Sequence, residues 1–379
     1  MNRRVRVLHF RREVPTGGGP ETLLIGVGRC RDRENFVTEM AVFGPCENHT
    51  SPFIDAVRET GVTVHIIPVR GKFDFSAVRR LASILDERSI DILHTHDHRT
   101  NLVGYLAIRR RPTRIVCTLH QPLRRHWWIR HFEILDDHLV RRFDRILPVA
   151  EAIRQEVIAK KSSLADRTMT VLNGVDLSHY DRVIDRNLVR KELNIPDDHV
   201  LCATIGRLSD DKGIPDLLTA AKSVIQSRDD VHWLIAGKGP LAEAMRRRNA
   251  ELGLENRVRF LGFRTDVPEL LAAADMLVVA STSEGCSVVI LEAMGSGLAV
   301  VATDVGGSAE VVVDGVTGYV VSPRRPAELA AAVTKLVESR ETRYEMGRRA
   351  RERAYETFSE QRMVGRFESI YRQLLSGSD

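Results

Sequence analysis

Short apolar runs rich in β-branched residues alternate along this chain with longer amphipathic stretches. In the first half the runs are residues 5–10, 37–43, 62–67, 92–94, 115–119, 145–149 and 170–172. Helical periodicity fits between them, as at 77–87 and 150–160. Near-continuous apolar strands separated by amphipathic helices predict an α/β domain with a parallel sheet, because helices cover both faces of such a sheet. The pattern lapses over the polar residues 178–199 and resumes with runs at 200–205, 232–236, 258–260, 276–280 and 299–302, a second α/β unit. A linker is expected near 173–186, giving domains 1–180 and 181–354. Residues 327–375 read as helix throughout, more than a second domain needs. Their last part, 355–379, is expected to cross back onto the first domain; the plainer alternative is that it finishes the second.

Length agrees with two domains, since 379 residues exceed what one core normally serves. Five cysteines, Cys30, Cys46, Cys117, Cys202 and Cys286, are odd in number and dispersed. That argues against a disulfide framework or a zinc site and fits a reducing cytoplasm. The N-terminus lacks the pattern of a signal peptide, and no window approaches a membrane span. Charge is uneven: residues 1–180 carry 29 Lys and Arg against 21 Asp and Glu, a net +8, while the whole chain is +5. A basic first half suits either an anionic partner surface or plain solubility. No recognised nucleic-acid-binding module is present.

Three segments carry candidate chemistry. The turn TGGGPE, residues 16–21, follows the first strand and opens a helix. It fits a tight turn as well as a phosphate cradle of helix-start amides, and it is not the dinucleotide-binding pattern. In IGRLSDDKG, Arg207 lies just past a strand end and Lys212 five residues on. Two cations at the end of a parallel strand suit a diphosphate, or are solvated surface charges. The third segment runs from Ser281 to Gly307. Glu284 stands in the loop after a strand and Glu292 in the apolar helix VVILEAM. An unpaired carboxylate is costly there, which favours a hydroxyl-binding role.

In the order and spacing of these elements the chain resembles glycosyltransferase family 4. The resemblance rests on the E-x7-E element Glu284–Glu292, the G-R-x4-K-G element Gly206–Gly213, IAGKGPL at 235–241, LNGVD at 172–176 and the stretch TDVGGSAEVVVDGVTGYVV. It implies the GT-B fold: two Rossmann-like domains facing a central cleft, with the C-terminal helix crossing back to the N-terminal domain. It implies a retaining transferase that moves a sugar from a nucleotide diphosphate sugar to a glycan, lipid-linked or small-molecule acceptor, without a metal or other cofactor. Carried over, Arg207 and Lys212 bind the diphosphate, Glu284 the transferred sugar and Glu292 the ribose. Gly18 and Gly19 approach the diphosphate, and His120 lies by the sugar and acceptor. Gly285, Cys286, Ser287 and Val288 present helix-start amides, and Gly237, Phe263, Arg264 and Thr265 lie around the nucleotide. Cys286 and Ser287 depart from the family's EGFGLVLLE-like pattern, which leaves the sugar open.

Other residues bear on partners. His94, His96 and His98 alternate in a spacing unlike a zinc pattern and are expected to line the cleft with Asp97, Arg99 and Asn101, or to be exposed. Arg79, Arg80 and RRHWWIRH at 124–131, with Trp127 and Trp128, suit peripheral contact with a membrane or an acceptor-side loop. The absence of a D-x-D pair fits metal independence, and polysaccharide or lipid-linked glycan assembly in the cytoplasm is the setting the resemblance implies. Rival readings are a GT-B epimerase or phosphorylase and a non-catalytic sugar-nucleotide-binding subunit.

Overall fold

The computed structural model describes residues 3–13, 18–69, 71, 74–120, 136 and 138–377. The chain forms two units, Met1–Gly174 with Glu360–Asp379, and Val175–Ser359. Each is built on a six-stranded parallel sheet with helices in the crossovers.

In the first unit the strands are β1 (Val5–Arg11), β2 (Phe36–Gly44), β3 (Thr63–Pro68), β4 (Ile92–Thr95), β5 (Arg114–Leu119) and β6 (Arg145–Pro148), ordered β3-β2-β1-β4-β5-β6. The order reverses between β1 and β4, the place where an open parallel sheet leaves a crevice at its carboxyl edge. The helix Glu360–Ser376 completes this unit: Met363, Val364, Phe367, Ile370 and Tyr371 enter its core beside Leu23, Val27 and Phe36. The Tyr371 hydroxyl bonds Nδ1 of buried His94 at 2.6 Å.

The second unit repeats the plan with β7 (Val200–Ile205), β8 (Val231–Ala236), β9 (Val258–Gly262), β10 (Met276–Val279), β11 (Ala299–Thr303) and β12 (Gly318–Val321), ordered β12-β11-β10-β7-β8-β9. Its reversal lies between β7 and β10. Fully buried Trp233 anchors the core and donates its indole N–H to Thr204 Oγ1 at 3.1 Å, satisfying the polar handle that burial would otherwise penalise.

Three expectations shift. The divisions fall at Gly174/Val175 and Ser359/Glu360 rather than after 180 and 354. Residues 175–181 fold with the second unit because Leu177 and Tyr180 pack on Gly295, and the Tyr355 hydroxyl donates to the Leu177 carbonyl. Residues 170–172 are not a strand: they run beside β6 with a bond from Val171 to the Pro148 carbonyl but form no ladder. The long C-terminal helix is three helices, Pro326–Glu338, Arg340–Thr357 and Glu360–Ser376. The sequence pattern also passed over β12, four residues whose glycine start weakens the apolar signal.

Candidate active site

At the reversal point of the second sheet, β7 runs into Gly206 and Arg207, and β10 into a loop that ends at the helix Val288–Gly295. Gly206, Arg207, Lys212, Ser281, Glu284 and Val289 line one depression there. Lys212 arrives on the short turn Asp210–Lys212. Its ammonium pairs with Glu284 Oε1, which also accepts from Ser281 Oγ at 2.8 Å. The Glu284 residue is 5% exposed, and these two donors satisfy its Oε1 away from solvent. Among the described residues the Arg207 guanidinium pairs with no carboxylate, and the residue is exposed.

The Glu284 loop is held from behind by the TDVGG segment. Gly306 adopts φ +54°, and a Cβ on it would stand 1.9 Å from the Glu284 carbonyl oxygen, so glycine alone fits. Gly307 N–H donates to the Gly285 carbonyl at 2.6 Å. Cys286 is buried, Ser287 caps the following helix by position, and Val288 is its first residue. The free amides of that first turn face the carboxyl edge of the sheet, where they favour an anion.

Glu292 is one turn beyond Val289 on the same helix face, outside the depression that Arg207, Lys212 and Glu284 share. Burial pushes its carboxyl up to about 7, and hydrogen bonding with the buried Tyr180 hydroxyl partly offsets this. Tyr180 is itself raised well above the usual phenol range by burial and by the Glu292 charge.

Around the end of β9, Phe263 is exposed and lies under the Lys238 ammonium, 4.5 Å from the ring centroid. Arg264 is committed elsewhere: its guanidinium bonds Asp266 at 2.7 and 2.6 Å and Glu192 at 2.6 and 3.1 Å. These carboxylates hold its proton more tightly than usual, so the backbone of Phe263–Thr265, and not the Arg264 side chain, is left for a ligand. Gly237, φ +142°, packs its Cα face against the Gly206 carbonyl, where a Cβ would come within 1.8 Å. That glycine joins two strand ends; it does not line the depression.

The first unit places Gly18, Gly19 and His120 at the equivalent edge. Gly18 precedes the helix Gly19–Cys30, and His120 follows β5. Beside them stands a stack of imidazoles from His9, His94, His96 and His120, with successive ring centroids 5.0, 4.3 and 5.7 Å apart. Burial lowers all four; His9 and His120 fall to about 3. Nitrogens of His9, His94 and His96 come within 4.8 Å of one another, a spacing that could hold a metal ion. Their hydrogen bonds point elsewhere. His94 uses both ring nitrogens, on Tyr371 and, at 2.8 Å, on Thr118 Oγ1, and His9 Nδ1 pairs with His96 Nε2 at 3.0 Å. The HTHDH run is therefore divided: His94 and His96 are buried, Asp97 caps the helix His98–Ile108, and His98 is half-buried. Asn101 bonds Thr95 and Asp136, and Arg99 lies over the Phe43 ring.

Sequence reasoning missed Ser281, Tyr180, Arg11 and Glu21, whose importance depends on contacts between distant segments. Glu21, three residues into its helix, was readable as a helix-start acid. Trp127 and Trp128 lie outside the described residues, as do Thr16 and Gly17. No helix among the described residues is long and apolar enough to cross a membrane.

The chain matches the family model for Glycosyltransferase Family 4 over residues 18–179 and that for Glycosyl transferases group 1 over 185–353. It is 28% identical over 314 residues to the N-acetyl-alpha-D-glucosaminyl L-malate synthase of Bacillus anthracis, covering 80% of each chain. It is 32% identical over 259 residues to the D-inositol 3-phosphate glycosyltransferase of Corynebacterium glutamicum, covering 65% of this chain and 61% of that one. Among solved structures, a glycosyltransferase from Rickettsia africae superposes with TM-score 0.84 at 18% identity over 100% of both chains. Anabaena HepE in complex with UDP-glucose superposes with TM-score 0.83 at 24% identity, covering 98% and 99%.

Proposed function

The chain belongs to glycosyltransferase family 4, and from that premise we propose that it transfers a sugar with retention from a nucleotide diphosphate sugar, UDP-linked in the first instance, to a hydroxyl-bearing acceptor. The observation that carries this reading is the grouping of Arg207, Lys212 and Glu284 at the β7/β10 reversal point. Two cations and a row of helix-start amides meet where a diphosphate leaving group gains charge. UDP is the first candidate because a structural neighbour holds UDP-glucose.

In the proposed reaction the bond between the anomeric carbon and the diphosphate oxygen breaks. The acceptor oxygen bonds to the same face of that carbon, and its proton passes to the departing phosphate. Arg207 and Lys212 stabilise the diphosphate in place of a divalent metal. Glu284 takes hydroxyls of the transferred sugar as its Lys212 pairing relaxes, and Glu292 takes the ribose diol. Gly18 and Gly19 give the diphosphate close backbone approach, and His120 meets the sugar or acceptor. No cofactor is required beyond the donor. A cytoplasmic setting in polysaccharide or lipid-linked glycan assembly, with peripheral contact to a membrane, agrees with the basic first half of the chain. Small acceptors are the alternative, given relatives named for L-malate and inositol 3-phosphate.

A thermal-shift panel of UDP-, GDP- and ADP-sugars, each with and without EDTA, followed by NMR assignment of the product anomer, tests the reading. Stabilisation by one nucleotide class that survives EDTA, with an α-product from an α-donor, is expected. An inverted product or a strict Mg²⁺ requirement would refute it.

A further inference from the structure

Of the buried side-chain atoms in the first unit that lack a hydrogen-bond partner among the described residues, three belong to one cluster: Glu21 Oε2, His96 Nδ1 and His120 Nε2. Glu21 and His96 are 4% and 2% exposed. They come from the start of the helix after β1, the end of β4 and the end of β5, which flank the β1/β4 reversal point of the sheet. Arg11 ties them together. Its Nε and Nη2 hold Glu21 Oε1 at 3.3 and 3.1 Å, its Nη1 donates to the His96 carbonyl at 2.8 Å, and Asp97 stands 3.9 Å away. The arginine fixes one carboxylate oxygen and leaves the other aimed past Gly18. An orphaned buried polar atom is costly, and natural folds rarely keep three together without a ligand or water to satisfy them.

We infer that Arg11, Glu21, His96 and His120 form the floor of a subsite for an uncharged polyol or sugar acceptor, with Glu21 Oε2 accepting a hydrogen bond from an acceptor hydroxyl. This rests on the transferase reading above and gives its acceptor a chemical class. The donor and acceptor demands of the floor are specific. Glu21 Oε2 offers lone pairs, so the group facing it must bring a proton. Burial keeps both histidines neutral, so each ring offers one donor and one acceptor. Because His9 Nδ1 and His96 Nε2 share one hydrogen, a tautomer exchange within that pair turns His96 Nδ1 from donor to acceptor. Adjacent hydroxyls, each both donor and acceptor, satisfy such a floor. A carboxylate or phosphate would face the free oxygen of Glu21, while the Arg11 charge is already answered by Glu21 and Asp97.

The test uses the full chain, with myo-inositol as the polyol probe and L-malate and inorganic phosphate as anionic probes, read by saturation-transfer NMR in the presence of UDP. Two variants report on the floor. Glu21→Gln keeps the shape and the Arg11 contact but presents an amide donor in place of the free oxygen. Gly18→Ala is permitted by an extended backbone, φ 171°, yet places a methyl 3.2 Å from Glu21 Oε2. Wild-type protein should bind myo-inositol in preference to either anion. Both variants should lose at least tenfold in that affinity, and Glu21→Gln should keep the wild-type melting temperature and UDP affinity. Failure of the wild type to bind myo-inositol, equal binding by Glu21→Gln, or preference for malate or phosphate would each overturn the inference. Loss of the donor reading is seen separately, as absence of UDP binding in the wild type.

Discussion

Lys212 and Glu284 are paired directly, and the Ser281 hydroxyl shares the same carboxylate oxygen at 2.8 Å. The pairing stores a cation and an acid 72 positions apart in sequence at the point where a diphosphate and a sugar would separate them. It also means that mutation of Lys212 perturbs more than ligand binding, because it strands a buried carboxylate.

Arg207 offers the cleaner test of the same chemistry. Arg207→Ala should keep its fold and lower turnover by roughly two orders of magnitude, the scale of one lost charge-stabilising contact. Lys212→Ala should show a similar loss together with a destabilisation of about 1–3 kcal/mol, reduced from the fully buried case by the partial exposure of the lysine. Urea denaturation beside initial rates separates the two. Equal stability and full turnover in both variants would remove the depression from the mechanism.

Glu292 should reveal itself through pH. Its carboxyl is raised from 4.5 to about 7, so the folded state holds a proton that the unfolded chain releases. Stability from this residue is therefore present below about pH 4.5 and declines as pH rises through 7, by about 3 kcal/mol in full. Glu292→Gln should be more stable than wild type at pH 8.5, and the advantage should shrink toward pH 5. The same variant should bind the nucleotide diphosphate less tightly. A stability difference between Glu292→Gln and wild type that is the same at pH 8.5 and pH 5 would contradict the assignment of burial as the cause.

The first unit should respond to acid in the opposite direction. His9, His94 and His96 are buried and held neutral, with folded values far below the unfolded 6.5. Their contribution is complete above pH 6.5 and is lost as pH falls below it. At pH 5 the cost is about 2 kcal/mol for His9 alone. Hydrogen exchange read by mass spectrometry at pH 7.5 and pH 5 should show β1, β4 and helix Glu360–Ser376 losing protection before β7 and β10. Uniform loss across both units would count against it.

Helix Glu360–Ser376 supplies Phe367 to the core of the first unit, where it is 1% exposed. Phe367→Ala should cost about 3–5 kcal/mol by leaving a cavity. Thermal unfolding should show this loss while peptides from Val175–Ser359 keep their exchange protection. Loss of protection in that second unit alone would refute the helix's placement.

The strands and the two-unit plan were legible because period-2 and continuous apolar runs report burial locally. β12 and the false strand at 170–172 show the limit, since a four-residue strand and an extended edge segment have the same apolar signature. Arg207, Lys212 and Glu284 were singled out by their places after strand ends and given roles by the family resemblance, and they meet in space. For Phe263–Thr265 the resemblance pointed to the backbone, and the commitment of the Arg264 side chain was not legible because its carboxylate partners include Glu192, far away in sequence. Arg11 carried no motif, and Glu21 was read only as the end of the TGGGPE turn. What marks them is an orphaned oxygen, which exists once the chain is folded.

The account depends most on Arg207 and Lys212 serving a nucleotide diphosphate without a metal. The direct measurement is the dissociation constant of UDP, or of the diphosphate chosen by the donor panel, for wild type and Arg207→Ala, with and without EDTA. The account predicts wild-type affinity indifferent to EDTA and a loss of about 10- to 100-fold in the variant, the worth of a charge-assisted contact. Unchanged affinity in Arg207→Ala, or wild-type binding abolished by EDTA, would contradict it.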